Sequence, residues 1–153
     1  MKPKITEKQV QSSIISFLNT RRILHNRINN GQFVIKENGV DKYGRNRRKS
    51  RAVRCNSING IPDIEVFAGI MFQNNIKIQI PIYLEVKSPT GKQSKDQKLF
   101  QSRIVENGGF YYVVRSIDDV INSFEITEKH IKSILSGELY FLKSYSMAEK
   151  AKK

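Results

Sequence analysis

The stretch "IYLEVKSPTGKQS" (residues 82–94) decides how this chain folds. It opens as a strand that reads as core, yet it carries an acid and a lysine two positions apart. Side chains alternate along a strand with period two. Ile82, Leu84 and Val86 therefore share one side, and Tyr83, Glu85 and Lys87 share the other. A buried charge without a partner is strongly destabilising. Glu85 and Lys87 must lie either on a solvated edge or where other charges converge on a site.

Upstream, "GIPDIEVF" (residues 60–67) begins another strand at Asp63, directly after Pro62. Proline has no N–H for the ladder, which suits the first position of a strand. The two strands are close in sequence, joined through Gln73-Asn74-Asn75, and are expected to pair as antiparallel neighbours. Asp63, near the start of one, then stands beside Glu85 and Lys87, near the end of the other. Carboxylates meeting there repel unless a cation or a lysine neutralises them, and magnesium or manganese suits an all-oxygen site. Glu65 points to the same face as Asp63, where it either competes as a ligand or pairs with a lysine.

Downstream, Ser94 and Gln97 form a capping box that opens a helix through Leu99, Phe100 and Ile104, ended by Gly108-Gly109. "FYYVVRS" (residues 110–116) reads as a buried strand. A short helix near residues 116–124 and another over 127–135 follow. At the start of the chain, Thr6 and Gln9 form a second capping box, with Ile5 and Val10 at the hydrophobic-staple positions. Val10, Ile14, Phe17 and Leu18 give an apolar stripe reaching about Thr20. Glu7 falls on the same face. It either compensates the helix dipole or serves the charge cluster from a third element, and the two roles are compatible. Residues 23–28 and 32–35 read as a strand or hairpin turning at Asn29-Asn30-Gly31. Helix, strands, helix, strand is an α/β order, whose product is a mixed β-sheet flanked by helices. No repeat or linker divides the chain, so residues 1–143 read as one domain and 144–153 as a frayed tail.

Charge indicates the partner. The chain has 153 residues, with 27 Lys and Arg against 14 Asp and Glu, for a net charge of +13. That imbalance is the footprint of a protein that meets phosphate. A membrane surface attracts the same charge, but no apolar run approaches the roughly 20 residues of a spanning helix. "MKPKITEKQ" has no apolar h-region, so a cytoplasmic location is expected. The single cysteine, Cys55, excludes an internal disulfide, and with only His25 and His130 beside it no structural zinc site is expected. All three read as structural. Residues 36–59 read as a polar, basic loop. Within it "DKYGRNRRKSRAVR" (residues 41–54) places Lys42, Arg45, Arg47, Arg48, Lys49, Arg51 and Arg54. The readings are a solvated loop, a localisation signal, or a loop that tracks nucleic-acid phosphates, and the charge of the chain favours the last.

Asp63 after Pro62, followed by Glu85-Val86-Lys87, resembles the PD-(D/E)XK nuclease motif. "GIPDI", "LEVKSPTGKQSKDQ" and "YYVVRS", with the acid and glutamine near the start of the first helix, are similar to the VRR-NUC (virus-type replication-repair nuclease) family. The resemblance covers roughly residues 7–120. It implies a PD-(D/E)XK nuclease-like fold with Asp63, Glu85 and the Val86 carbonyl as ligands of Mg2+ or Mn2+. Lys87 would orient or stabilise the attacking water, Glu7 would complete the site and Gln97 would line it. Buried among carboxylates, Lys87 is expected to act electrostatically rather than as a base.

The function expected is metal-dependent hydrolysis of DNA phosphodiesters, on branched DNA in phage replication, recombination or repair. The alternatives are a non-cutting nucleic-acid-binding module and a single-cut flap, end or RNA nuclease. The resemblance further implies kinship with Holliday-junction resolvases, which act as dimers, and a C2 dimer supplies two symmetric cuts. Ile131, Ile134, Leu135 and "LYFL" (residues 139–142) either form that homodimer interface or cover the chain's own sheet. No small-molecule cofactor is expected.

Overall fold

Two capping boxes set where the first two helices begin. In α1 (Glu7–Thr20) the Thr6 hydroxyl accepts the Gln9 N–H at 3.3 Å, and the Gln9 side chain accepts the Thr6 N–H at 2.8 Å. The stripe of Val10, Ile14 and Leu18 is buried. At the other end, Arg22 takes a positive φ of 54°. The Ile23 N–H reaches the Leu18 carbonyl and the Arg22 N–H the Asn19 carbonyl, both at 2.9 Å. This paired C-cap satisfies orphan carbonyls and turns the chain directly into β1 (His25–Arg27). This computed structural model describes residues 5–28, 32–54, 58–72, 77–134 and 137–139.

A five-stranded mixed sheet forms the body. β4 (Ile64–Phe72) pairs antiparallel with β5 (Lys77–Val86) from Ile64↔Leu84 to Met71↔Lys77. On its other side β4 takes β1 at one end and β7 (Gly137–Leu139) at the other. After β5 the chain crosses through α2 (Lys95–Glu106) and returns as β6 (Phe110–Val114), parallel to β5. A helical crossover is what a parallel neighbour requires. The final helix is α3 (Ile117–Ile134).

The two faces of the sheet are buried differently. Ile64, Val66, Ala68, Ile70, Ile82, Leu84 and Val86 meet the buried stripes of α1 and α3, including Val120, Phe124 and Ile131. Burying Phe124 completely is worth about 2–3 kcal/mol. The opposite face is covered by α2 through Phe100, which lies edge-on to Tyr83 and tilted against Tyr111, with centroids 6.3 and 6.4 Å apart. No residue of α2 is fully buried, and Leu99 and Val105 are exposed.

Three sequence expectations change. Residues 23–28 do not form a hairpin with 32–35; β1 instead closes the free edge of β4. Residues 36–59 are not a loop. β2 (Gln32–Val40) and β3 (Asn46–Arg54) make a separate two-stranded antiparallel ribbon. Its turn is built by Asp41, whose carboxylate accepts the N–H groups of Tyr43 and Arg45, and by Gly44 at φ 77°. The register sets Arg51 and Arg47 near Glu37 and Asp41, which offsets part of the repulsion that argues for a loop. The helices expected over 116–124 and 127–135 are one helix. Thr127 turns its hydroxyl back to the Ser123 carbonyl at 2.8 Å, and no glycine or proline interrupts.

Of the apolar group near the end of the body, Ile131 is in the core, Ile134 is exposed, and the backbone of β7 covers the edge of β4. Leu135, the LYFL run beyond Leu139, the expected tail, Cys55 and the turns at Asn29-Asn30-Gly31 and Gln73-Asn74-Asn75 lie outside the described residues. Among those described, no helix is long and apolar enough to cross a membrane.

Candidate active site

Asp63 is held from two sides. Its main-chain carbonyl accepts the Ile28 N–H at 2.8 Å, and its Oδ2 accepts the Val86 N–H at 2.9 Å. Because Ile64 pairs with Leu84, Asp63 stands opposite Glu85, as the antiparallel reading requires. Gly60 presses the preceding turn onto α2. At φ 78°, a Cβ there would lie 2.3 Å from the Asp96 carbonyl oxygen and 2.7 Å from the Gln97 nitrogen. No other residue fits without moving backbone.

Glu85 is fully buried, and both its oxygens are engaged. Oε1 meets Lys87 Nζ and Gln97 Nε2, each at 2.5 Å, and Oε2 accepts the Tyr111 hydroxyl at 3.3 Å. Lys87 Nζ also lies 3.6 Å from Glu7 Oε2 at the start of α1. Glu7, Asp63, Glu85, Lys87 and Gln97 thus converge where β5 ends and the first turns of α1 and α2 begin. Val86, expected to offer its carbonyl, gives its N–H to Asp63 and its side chain to the core. Glu65 faces Tyr83 across the β4–β5 ladder, where burial and this carboxylate push the Tyr83 hydroxyl above its usual range; among the described residues no ion pair joins Glu65 to a lysine.

One ammonium serves three carboxylates. Burial pushes the Asp63 carboxyl above its usual range, and Glu7 adds to this against the Val86 N–H, Lys87 and Arg27. Burial likewise pushes Glu85 up to about 7, with Asp63 adding to it and the bonds from Lys87 and Tyr111 opposing. Burial pulls Lys87 down, but Glu85, Glu7 and Asp63 more than offset it and hold the ammonium above the ordinary lysine value. Lys87 is therefore charged at neutral pH, as a binding or orienting group must be.

This acid-rich set fits a hard divalent cation. Among the described residues no cage of three or more His, Cys, Asp or Glu is ready-made. Magnesium does not need one: it keeps several waters and binds through one or two carboxylates plus substrate oxygens. Asp63 and Glu85 supply two such carboxylates, each raised by burial that an added positive charge would relieve.

Two contributors are hidden in the sequence. Tyr111 reads as core, but the parallel register Tyr83↔Tyr111 puts it on the Glu85 face of the sheet. Gln93, beside this hydroxyl, donates from Nε2 to Gln101 Oε1 at 2.9 Å. Arg115 donates from Nη2 to the Gly91 carbonyl at 3.2 Å, fastening the loop after Lys87 to the end of β6. Neither is visible without the pairing of β5 with β6. The basic residues fall on the ribbon: Lys42 and Arg45 at its turn, and Arg47, Arg48, Lys49, Arg51 and Arg54 along β3. No protein-family model, curated protein or solved structure matches this chain.

Proposed function

We propose that this chain is a magnesium- or manganese-dependent DNA endonuclease of the PD-(D/E)XK kind, similar to VRR-NUC nucleases and acting on branched DNA as a homodimer. The observation that carries the reading is the convergence of half-buried Asp63 with buried Glu85 and Lys87 at adjoining ends of two antiparallel strands. A binding function alone does not call for two under-neutralised carboxylates beside a buried lysine. The +13 net charge supports a polyanionic substrate.

Hydrolysis joins a water oxygen to phosphorus and breaks one P–O ester bond, and the leaving oxygen takes up a proton. Asp63 and Glu85 would hold the ion. When bound it lowers the pKa of water and neutralises charge on the phosphoryl oxygens. Lys87 Nζ, held as an ammonium, donates hydrogen bonds toward the attacking water or a phosphoryl oxygen, where charge develops in the transition state. Its raised pKa disfavours a general-base role. Gln97 and Tyr111 hold the two Glu85 oxygens in place.

The test is cleavage of labelled linear, flapped and four-way DNA with magnesium, manganese or EDTA. Cutting is expected with either metal and not with EDTA. Asp63→Asn and Glu85→Gln should each lower the rate by about 10²–10³-fold or more while circular dichroism shows a folded chain. Full cutting by either variant overturns the assignment. Metal-independent binding with no cutting of any substrate would make the protein a DNA-binding module.

A further inference from the structure

The two faces of the β2–β3 ribbon differ in charge. In an antiparallel ladder, paired residues share a face. One face holds the pairs Ile35↔Arg51, Glu37↔Lys49 and Gly39↔Arg47, with Asp41 following. Here Arg47 lies 3.6 Å from Asp41 and Arg51 lies 3.7 Å from Glu37, so the face is partly self-neutralised. The other face holds Lys36↔Ser50, Asn38↔Arg48 and Val40↔Asn46 and contains no acid. Lys36, Asn38, Arg48, Ser50 and Val40 are all exposed, and among the described residues no ion pair engages Lys36 or Arg48.

Position and size narrow what this face meets. β2 starts four residues after Ile28, whose N–H bonds the Asp63 carbonyl. Four residues span at most about 14 Å, so the ribbon is rooted beside the candidate site. Its nine-residue strands extend roughly 27 Å at about 3.4 Å per residue. A two-stranded ribbon fits the B-DNA major groove, about 12 Å wide, whereas the A-form RNA major groove is too narrow to admit it. Both ribbon strands are edges, so outward N–H groups remain for phosphate oxygens along the groove walls. The acid-free face offers the groups that read base edges: an arginine for guanine, an asparagine for adenine, a hydroxyl, and a valine for the thymine methyl.

We propose that the β2–β3 ribbon enters the major groove of duplex DNA with its Lys36–Asn38–Arg48–Ser50 face against the base edges. This rests on DNA being the substrate of the neighbouring site. Arg48 and Asn38, cross-strand neighbours, set a sequence preference, and the Arg47–Arg51 face remains toward solvent and the groove rim.

The test is fluorescence anisotropy with the full chain in EDTA, so that binding is read without cutting, on a randomised duplex pool and the sequences it enriches. Lys36→Ala/Arg48→Ala should weaken binding at least tenfold and abolish enrichment. It should also flatten the salt slope by up to about 0.9 for each phosphate no longer neutralised. Arg47→Ala/Arg51→Ala should weaken binding by a smaller factor and leave the enrichment intact. Replacing guanine by 7-deazaguanine should weaken wild type, and a minor-groove filler such as netropsin should not. Equal losses from both faces, displacement by netropsin, or equally tight binding of an RNA duplex would overturn the proposal. Cutting by a protein whose two faces prove equivalent defeats the ribbon inference alone. A face-dependent preference in a protein that never cuts defeats the nuclease reading alone.

Discussion

The end of β5 and the β2–β3 ribbon both concentrate charge, and they handle it in opposite ways. At the end of β5, Lys87 and Glu85 are withdrawn from water, and each polar atom has a specific partner. On the ribbon, Arg47 and Arg51 stand in solvent, with ion pairs of 3.6 and 3.7 Å that water and salt weaken. Burial makes the first group a site, because each charge alters the proton affinity of the next. Exposure makes the second a field, in which the sum of the charges matters more than any one pair.

The sharpest way to break this contrast is Lys87→Ala. It removes the ammonium shared by Glu85 and Glu7 and should lower cleavage by about 10²–10³-fold. Restoration of full activity by added salt would mean that Lys87 acts only as part of the general field.

A second comparison uses pH in the metal-free protein. Glu85 titrates near 7 when folded against 4.5 ordinarily, so the folded chain holds more protons between those values. Stability then falls as pH rises from about 4.5 to 7, by on the order of 3 kcal/mol at full extent. Asp63, also raised, acts in the same direction. Lys87, raised as well, adds stability that is lost only above the ordinary lysine range. Thermal melts in EDTA should show this decline, Glu85→Gln should remove most of it, and saturating magnesium should reverse it. A flat profile for wild type would show that Glu85 is not held in a low-dielectric site.

The smallest effect belongs to the ribbon. Arg47→Ala/Arg51→Ala should change folding stability by less than about 1 kcal/mol, because exposed pairs contribute little. A larger loss in denaturant titration would show that those pairs hold the ribbon together and would erase the distinction between the two regions.

Local signals in the sequence translate directly into structure, and the choice of strand partners does not. The Thr6–Gln9 and Ser94–Gln97 boxes and the Gly108-Gly109 stop involve neighbours in the chain, and the helices begin and end where those residues say. The alternation through Glu85 and the antiparallel approach of Asp63 are legible for the same reason, since the two strands are consecutive. β1 misleads because its nearest neighbour in sequence is not its partner in the sheet. The ribbon reads as a loop when its charge is counted without its register, although Asp41 and Gly44 mark a turn. Tyr111 and Arg115 depend on the parallel pairing of β6, which no local pattern encodes.

Gly60 has a consequence for inheritance. It contributes no side chain to the candidate site, yet it abuts the backbone of Asp96 and Gln97 on one side and leads to Asp63 three residues later on the other. Any side chain added there must part the loop bearing Asp63 from the helix turn whose Gln97 steadies Glu85. A random screen for inactive alleles should therefore return Gly60 alongside the acids themselves, with alanine already harmful. A position with no chemistry of its own would be as intolerant of change as the proposed metal ligands.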